Sequence, residues 1–192
     1  MAETKDWQRN RSMWVRVLER KTGQSLEVWN RRIRRGGFAD ERSLKAWLGR
    51  QGIDGYAETL LIMERFGYPD FLRASAQELI DGQYEKCPHL RPIYDAIIAV
   101  ADTLGPVAVQ ARKTYVSLVS PRRTFARVQA VSGKRVDLGL RLDGETPGGR
   151  LLPSTNHETM TLKLSLTAPQ DLDAEARDWM RKAYAWNSGD EA

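Results

Sequence analysis

Alternation of apolar and polar side chains is clearest in the second half of the chain. Residues 135–142 alternate apolar side chains with polar ones or glycine, and a period of two predicts a half-buried β-strand. Residues 113–119 and 125–131 are also rich in β-branched and aromatic side chains. The turn sequences Ser120-Pro121 and Ser132-Gly133 separate the three segments. Together they predict an antiparallel meander.

Segments with helical periodicity precede and follow this meander. Residues 90–104 carry apolar side chains on one helical stripe and have Pro92 in the first turn. Residues 161–166 alternate again and predict a fourth strand, and residues 171–186 predict a closing helix with acidic residues in its first turn. We expect both helices to pack on one face of the sheet, which leaves the other face to solvent.

The N-terminal part of the chain predicts short helices separated by glycine and by capping residues. They cover residues 7–20, 26–34, 41–48 and 56–66, with a last one ending near Gly82. Residues 83–89 lack periodicity. The sequence therefore predicts an α+β protein with a helical domain (1–82), a linker (83–89), a helix–antiparallel sheet–helix domain (90–186) and a C-terminal tail (187–192).

Composition narrows the class of protein. With 41% hydrophobic and 29% charged residues, the 192-residue chain falls in the soluble globular range. No apolar run approaches the length of a membrane span, and the first residues lack the apolar core of a secretory signal. A single cysteine fits a reducing compartment. We expect a cytoplasmic protein that does not enter a membrane.

The net charge of +5 conceals a segregation of charge along the chain. Residues 1–50 carry 13 Lys and Arg against 6 Asp and Glu, whereas residues 51–86 carry 3 against 7. Residues 110–150 carry 9 against 3. Two basic blocks of this kind indicate a polyanionic partner, RNA or DNA, or an acidic protein surface. Separately solvated faces remain the alternative.

Several motifs resemble known bacterial families. Residues 21–66 resemble the domain-of-unknown-function family numbered 4287 through KTGQSLEVW (21–29), LKAW (44–47) and GYA (55–57). Residues 90–186 resemble the family numbered 5655 through RPIY (91–94), KTYVSL (113–118), FARV (125–128), RVDLGL (135–140), GRL (149–151), DLD (171–173) and AY (183–184). The resemblance implies a two-domain division and no particular activity. The order of elements is loosely similar to a frataxin-like sandwich, which is an analogy of fold only.

Cationic and aromatic residues interleave on the face of the meander that is predicted to point outward. Such a face suits stacking on bases and neutralisation of phosphates. The predicted nucleic-acid contacts on the sheet and its hairpin turn are Lys113, Tyr115, Arg122, Arg123, Phe125, Arg127, Arg135, Arg141 and Lys163. A second predicted contact is the arginine cluster of the helical domain, Arg31, Arg32, Arg34 and Arg35. Solvated cations, on the sheet or near a helix C-terminus, are the competing interpretation.

The loop 143–160 offers a different function. Its polar residues 154–158 could form a pocket with the sheet edge, as in a small-ligand or protein-interaction module. A third hypothesis is an enzyme that uses Asn156, His157 and Glu158, although sequence alone places no nucleophile or base. Cys87 and His89 with the distant His157 do not supply a closed zinc site. We expect no metal and no cofactor, and the sequence favours binding over catalysis.

Overall fold

The computed structural model describes residues 2–4, 7–155 and 157–189, which form two compact units. The helical unit comprises residues 7–73. The sheet unit comprises residues 2–4 together with residues 74–155 and 157–189. No helix among these residues is long and apolar enough to cross a membrane.

The helical unit is built from four α-helices, which are α1 (Trp7–Thr22), α2 (Leu26–Gly36), α3 (Glu41–Arg50) and α4 (Gly55–Phe66). Local sequence sets their ends. Helix α2 ends at Gly37, whose φ of 61° lies in the left-handed region that glycine adopts readily. Helix α3 begins after Asp40, whose carboxylate accepts a hydrogen bond from the backbone N–H of Ser43 at 2.7 Å. The apolar stripes meet in a core formed by Leu18, Leu26, Trp29, Ile33, Leu44, Leu48, Ile53, Ala57, Leu60 and Leu61.

The sheet unit contains three further helices and seven strands. The helices are α5 (Ala76–Tyr84), α6 (Arg91–Ala101) and α7 (Ala174–Ser188). The strands are β1 (Ala2–Thr4), β2 (Ala108–Ala111), β3 (Val116–Val119), β4 (Thr124–Val131), β5 (Arg135–Leu140), β6 (Leu152–Pro153) and β7 (Leu162–Leu166). They lie in the order β1-β2-β3-β4-β5-β7-β6. Only the β1–β2 pair is parallel, so the α+β class and the antiparallel sheet are confirmed.

The boundary between the units differs from the predicted one. Helix α5 was assigned to the helical domain, but Ile80 and Tyr84 are buried in the core of the sheet unit. The predicted linker 83–89 is the end of α5 followed by a 3₁₀ turn at Pro88–Leu90, and Cys87 is buried in the same core. The aperiodic sequence of this segment reflects a tight turn that packs on the core.

One face of the sheet forms the core of its unit. The inward side chains of β3, β4, β5 and β7 are every second residue, as the period of two predicts. They pack with α5, α6 and α7, so a third helix joins the two that were predicted. The fully or almost fully buried strand residues are Val116, Leu118, Ala126, Val128, Val136, Leu138, Leu140, Leu162, Leu164 and Leu166.

Phe125 departs from this alternation. Leu118 pairs with Ala126 but Val119 pairs with Thr124, so Phe125 is an additional residue in β4. Such a bulge turns a side chain away from its expected face. Phe125 is fully buried and contacts the ring of Tyr184 on α7 edge-on, with 5.4 Å between ring centroids. The predicted outward orientation of Phe125 is therefore wrong, and this ring cannot stack on a base.

We expect Phe125→Ala to lower the free energy of unfolding of the sheet unit by about 3–5 kcal/mol, because it leaves a cavity against Tyr184. Urea unfolding followed by circular dichroism measures the change. The control is Arg122→Ala in the adjacent turn, where the side chain is exposed and a change within about 0.5 kcal/mol is expected. Equal effects of the two substitutions would contradict the buried position of the phenylalanine.

Candidate functional site

The outer face of the sheet brings Arg127, Gly139 and Lys163 into one row. In the strand registers, Arg127 of β4 pairs with Gly139 of β5, and Gly139 pairs with Lys163 of β7. The Cα atoms of the two cationic residues are therefore roughly 10 Å apart, two strand spacings. Arg135 lies on the same face of β5, four residues before Gly139. The structure thus brings together three of the predicted site residues.

Gly139 places no side chain between the two cations, and Met160 packs over this position. The φ of Gly139 is not in the left-handed region, so the backbone does not require a glycine here. A Cβ atom added at this position would lie 3.3 Å from the Cβ atom of Met160, which is itself 3% exposed. Glycine within a strand often marks a place where another group approaches closely.

Gly139 is one of the residues that line a shallow pocket, the Gly139 pocket. The space of about 260 Å³ includes open solvent, and the enclosed part has room for about one water molecule. The lining residues come from β4, β5, β7 and the loop before β7; they are Arg127, Gln129, Asp137, Gly139, Ser154, His157, Met160 and Lys163. The outer face is therefore partly covered where the sequence predicted an open surface.

Asp137 is the buried charge of this pocket, with 4% of its surface exposed. Its Oδ1 atom accepts hydrogen bonds from Arg135 Nε at 2.7 Å and from Ser165 Oγ at 2.9 Å. Its Oδ2 atom accepts one from Lys163 Nζ at 2.7 Å. Burial alone would raise the pKa of Asp137, but the hydrogen bonds from Arg135, Lys163 and Ser165 outweigh burial and lower it. The carboxylate is therefore ionised at neutral pH.

Arg127 packs flat on Tyr115, with 3.6 Å between Cζ and the ring centroid. Its Nη2 atom also donates a hydrogen bond to Gln129 Oε1 at 3.1 Å. One face of the Tyr115 ring is thus already covered by a guanidinium of the same chain. Since Phe125 is buried, the interleaved stacking surface predicted from the sequence is not formed by these two aromatic residues.

The loop after β5 is anchored to α7 before it reaches the pocket. Lys182 pairs with Glu145, and Arg150 pairs with Asp173. Leu151 is buried in the core of the sheet unit. Beyond it the chain forms β6, where Leu152 pairs with Lys163. These contacts fix the edge from which the loop crosses to the outer face.

Ser154 and His157 are the polar groups that this loop adds to the pocket. The backbone N–H of Thr159 donates to His157 Nδ1 at 3.2 Å. Because Nδ1 accepts this bond, the neutral ring carries its hydrogen on Nε2, which is then a donor. The sequence singled out residues 154–158 as a polar cluster but did not connect them to Arg127 and Lys163. Asn156 lies outside the described residues.

The other predicted contacts do not line this pocket. Arg123 and Arg141 both pair with Asp143, at 3.4 and 3.6 Å. Lys113 and Arg122 are exposed in turns, and Arg122 lies close to Gly189 at the C-terminal end of α7. The cluster of Arg31, Arg32, Arg34 and Arg35 is exposed on α2 of the helical unit.

Sequence reasoning missed five residues of the site, Gln129, Asp137, Gly139, Met160 and Ser165. The usable signal was a glycine at an outward position of β5, where the neighbouring outward residues are charged. In the described part of the chain, no group of three or more His, Cys, Asp or Glu residues is placed to hold a metal ion.

Fold and site together define an α+β domain with a cationic pocket on the sheet face opposite its helices. The chain belongs to the family described as Domain of unknown function (DUF5655), whose model matches residues 78–187. This confirms the resemblance predicted for the C-terminal part, and the one over residues 21–66 stays a prediction. Neither a curated protein nor a solved structure matches the chain.

We expect Asp137→Asn to lower the free energy of unfolding at pH 7 by about 1–3 kcal/mol, since Arg135 and Lys163 lose a charged acceptor. The pKa of Asp137 is depressed below 3.8 in the folded protein. The ionised carboxylate of Asp137 therefore adds to the free energy of unfolding above pH 3.8. This added stability is lost as the pH falls through the folded-state pKa. Urea unfolding at pH 7 and at pH 3 should show a smaller difference between variant and wild type at pH 3.

The control is Asp143→Asn, which removes a half-exposed carboxylate paired with Arg123 and Arg141. This substitution should lower the free energy of unfolding by less than about 1 kcal/mol. A difference for Asp137→Asn that is as large at pH 3 as at pH 7 would show that the ionised carboxylate is not what stabilises the site.

Proposed function

We propose that the sheet unit is a binding module that holds an oxyanion in the Gly139 pocket. The observation that carries the proposal is the row in which a glycine separates Arg127 from Lys163. Two cationic side chains flank Gly139, over which Met160 packs, and five of the eight lining residues carry side chains that can donate hydrogen bonds. A phosphate, sulfate or carboxylate group complements such a lining.

The positive charge of the pocket is not cancelled by Asp137. Arg135 hydrogen-bonds Asp137 from outside the pocket lining. Lys163 gives one of the three hydrogens of its ammonium group to Asp137 and keeps two. Its side chain is 16% exposed, so it meets a ligand in a partly dehydrated setting where charge attraction is stronger than in water.

The same arrangement favours binding over catalysis. Asp137 is the only carboxylate among the lining residues, and both of its oxygens already accept hydrogen bonds. A general base needs a free position facing the proton that it removes. His157 Nδ1 likewise accepts a hydrogen bond from Thr159. The hypothesis of an enzyme built on the loop receives no support from these contacts.

Titration of the 192-residue chain with inorganic phosphate, followed by two-dimensional NMR, tests the module. We expect the amide signal of Gly139 to shift and Lys163→Met to weaken the affinity about tenfold or more, because a charge-assisted hydrogen bond contributes about 1.5–3 kcal/mol. The matched control is Lys134→Met in the exposed turn between β4 and β5, which changes the net charge equally. Absence of binding in the wild type, or equal weakening by both variants, would refute the proposal.

A second candidate function is contact with nucleic acid through the arginine cluster of α2. The side chains of Arg31, Arg32, Arg34 and Arg35 are exposed. Among the residues that the structure describes, none of the four has a carboxylate within 4.0 Å. Arg32 lies over the ring of Trp29 at 5.2 Å. Four clustered charges without carboxylate partners favour a polyanion.

Binding of a single-stranded RNA at several salt concentrations tests this candidate. We expect Arg31→Gln with Arg35→Gln to reduce the slope of log K against log salt concentration by roughly 1.4, or 0.7 for each lost phosphate contact. The control pair, Arg16→Gln with Arg20→Gln on α1, has the same spacing and should leave the slope unchanged. Absence of micromolar binding at low salt would eliminate this function.

A further inference from the structure

The arginine cluster of α2 has a shape that points to a particular kind of nucleic acid. We propose that its partner is double-stranded DNA, with the C-terminal end of α2 in the major groove and arginines that reach the phosphates of both strands. This inference rests on the second candidate function, contact with nucleic acid through α2, and specifies the partner.

The four arginines surround the exposed side of the helix. Arg31 and Arg35 are four residues apart and therefore form one row along α2. With about 3.6 residues per turn, Arg32 and Arg34 project roughly 80° to either side of this row. Ile33, which is 1% exposed, lies opposite the row and packs in the core of the helical unit. The cluster is thus convex, with cations in the middle and on both flanks.

The buried side of α2 is fixed to its neighbours α1 and α4. Trp29 Nε1 donates to Thr22 Oγ1 at 3.1 Å, and Asn30 Nδ2 donates to Glu64 Oε2 at 3.1 Å. Glu64 also forms an ion pair with Arg11 at 2.7 Å. The helix that carries the arginines is therefore held in place before a ligand arrives, which reduces the entropic cost of binding.

The helix dipole accounts for only part of the cluster. Cations are stabilised in the last turn of a helix, and this turn contains Arg34 and Arg35. Arg31 and Arg32 precede it. Arg32 stacks over the ring of Trp29 at 5.2 Å, but stacking uses the face of the guanidinium, whereas its N–H donors lie in the plane. The contact with Trp29 therefore does not consume these donors.

The major groove of B-form DNA matches the convex cluster. The groove is about 12 Å wide and admits an α-helix, and a helix with its side chains measures about 10–12 Å across. Arg32 and Arg34 then face opposite strands, while the row of Arg31 and Arg35 faces the base edges. A single strand offers only one line of phosphates, and the major groove of an RNA duplex is too deep and narrow for side chains to read.

Glu27 limits which part of α2 can enter the groove. It is exposed one turn before Arg31, and its carboxylate repels phosphate. Beyond the cluster, Gly36 and Gly37 are exposed and carry no side chains. The charge and shape of the helix therefore favour entry of its C-terminal end.

Three nucleic acids of one sequence provide the test on the 192-residue chain. They are a DNA duplex of about 20 base pairs, one of its strands alone, and the corresponding RNA duplex. Fluorescence anisotropy measures the affinity for each at several salt concentrations. We expect the DNA duplex to bind about tenfold more tightly than either of the others, because it alone meets the cations on both flanks.

Removal of the two flanking arginines supplies a second readout. We expect Arg32→Gln with Arg34→Gln to reduce the slope of log K against log salt concentration for the DNA duplex by roughly 1.8, or 0.9 for each lost phosphate contact. The slope for the single strand should not change. Both side chains are exposed, so circular dichroism should show an intact fold. The control pair, Arg16→Gln with Arg20→Gln, removes the same charge from α1 and should leave both slopes unchanged.

The outcomes separate the inference from the function on which it rests. Equal affinity for the single strand and the DNA duplex, or for the two duplexes, would overturn the inference and leave contact with nucleic acid. An equal loss of slope in the two double variants would also overturn it, because net charge rather than the flanks of α2 would then govern binding. If none of the three nucleic acids binds at low salt, both the inference and the candidate function are wrong.

Discussion

A carboxylate that is buried on the outer face of a sheet must be matched by positive charge, because leaving it unpaired would cost several kcal/mol. Asp137, in the middle of β5, is such a buried carboxylate. Its carboxylate forms ion pairs with Arg135 on the same strand and with Lys163 on the neighbouring strand. Ser165 completes the set of hydrogen bonds. The position of Lys163 beside the pocket is thus a consequence of the same contacts that make the burial of Asp137 tolerable.

The loop before β7 supplies the rest of the pocket lining. It is attached to α7 by the Lys182–Glu145 and Arg150–Asp173 ion pairs and then passes to the other side of the sheet. Met160 covers Gly139, and Ser154 and His157 complete the rim. A pocket therefore arises on a face that would otherwise meet solvent. Its chemistry depends on both the strand register and the anchored loop.

Much of the fold follows from local sequence, and the site follows from it less well. The alternation around Val136, Leu138 and Leu140 identifies the buried face because a strand has a period of two. The same rule gave the wrong face for Phe125, since the bulge in β4 depends on pairing with β3. It also could not show that Asp137 is buried, because its partners Lys163 and Ser165 come from a strand that is distant in the sequence. Pairing and covering are tertiary effects that no single strand encodes.

The path of the chain has a consequence for how the protein can be divided. Residues Ala2–Thr4 form an edge strand beside β2, and the chain returns to the same unit only at residue 74. The four-helix unit is therefore nested within the sequence of its neighbour. A fragment starting at residue 74 would lack β1 and leave the edge of β2 uncovered, and bare strand edges promote self-association. Excising residues 7–73 and bridging the cut with a short flexible peptide would keep that edge protected.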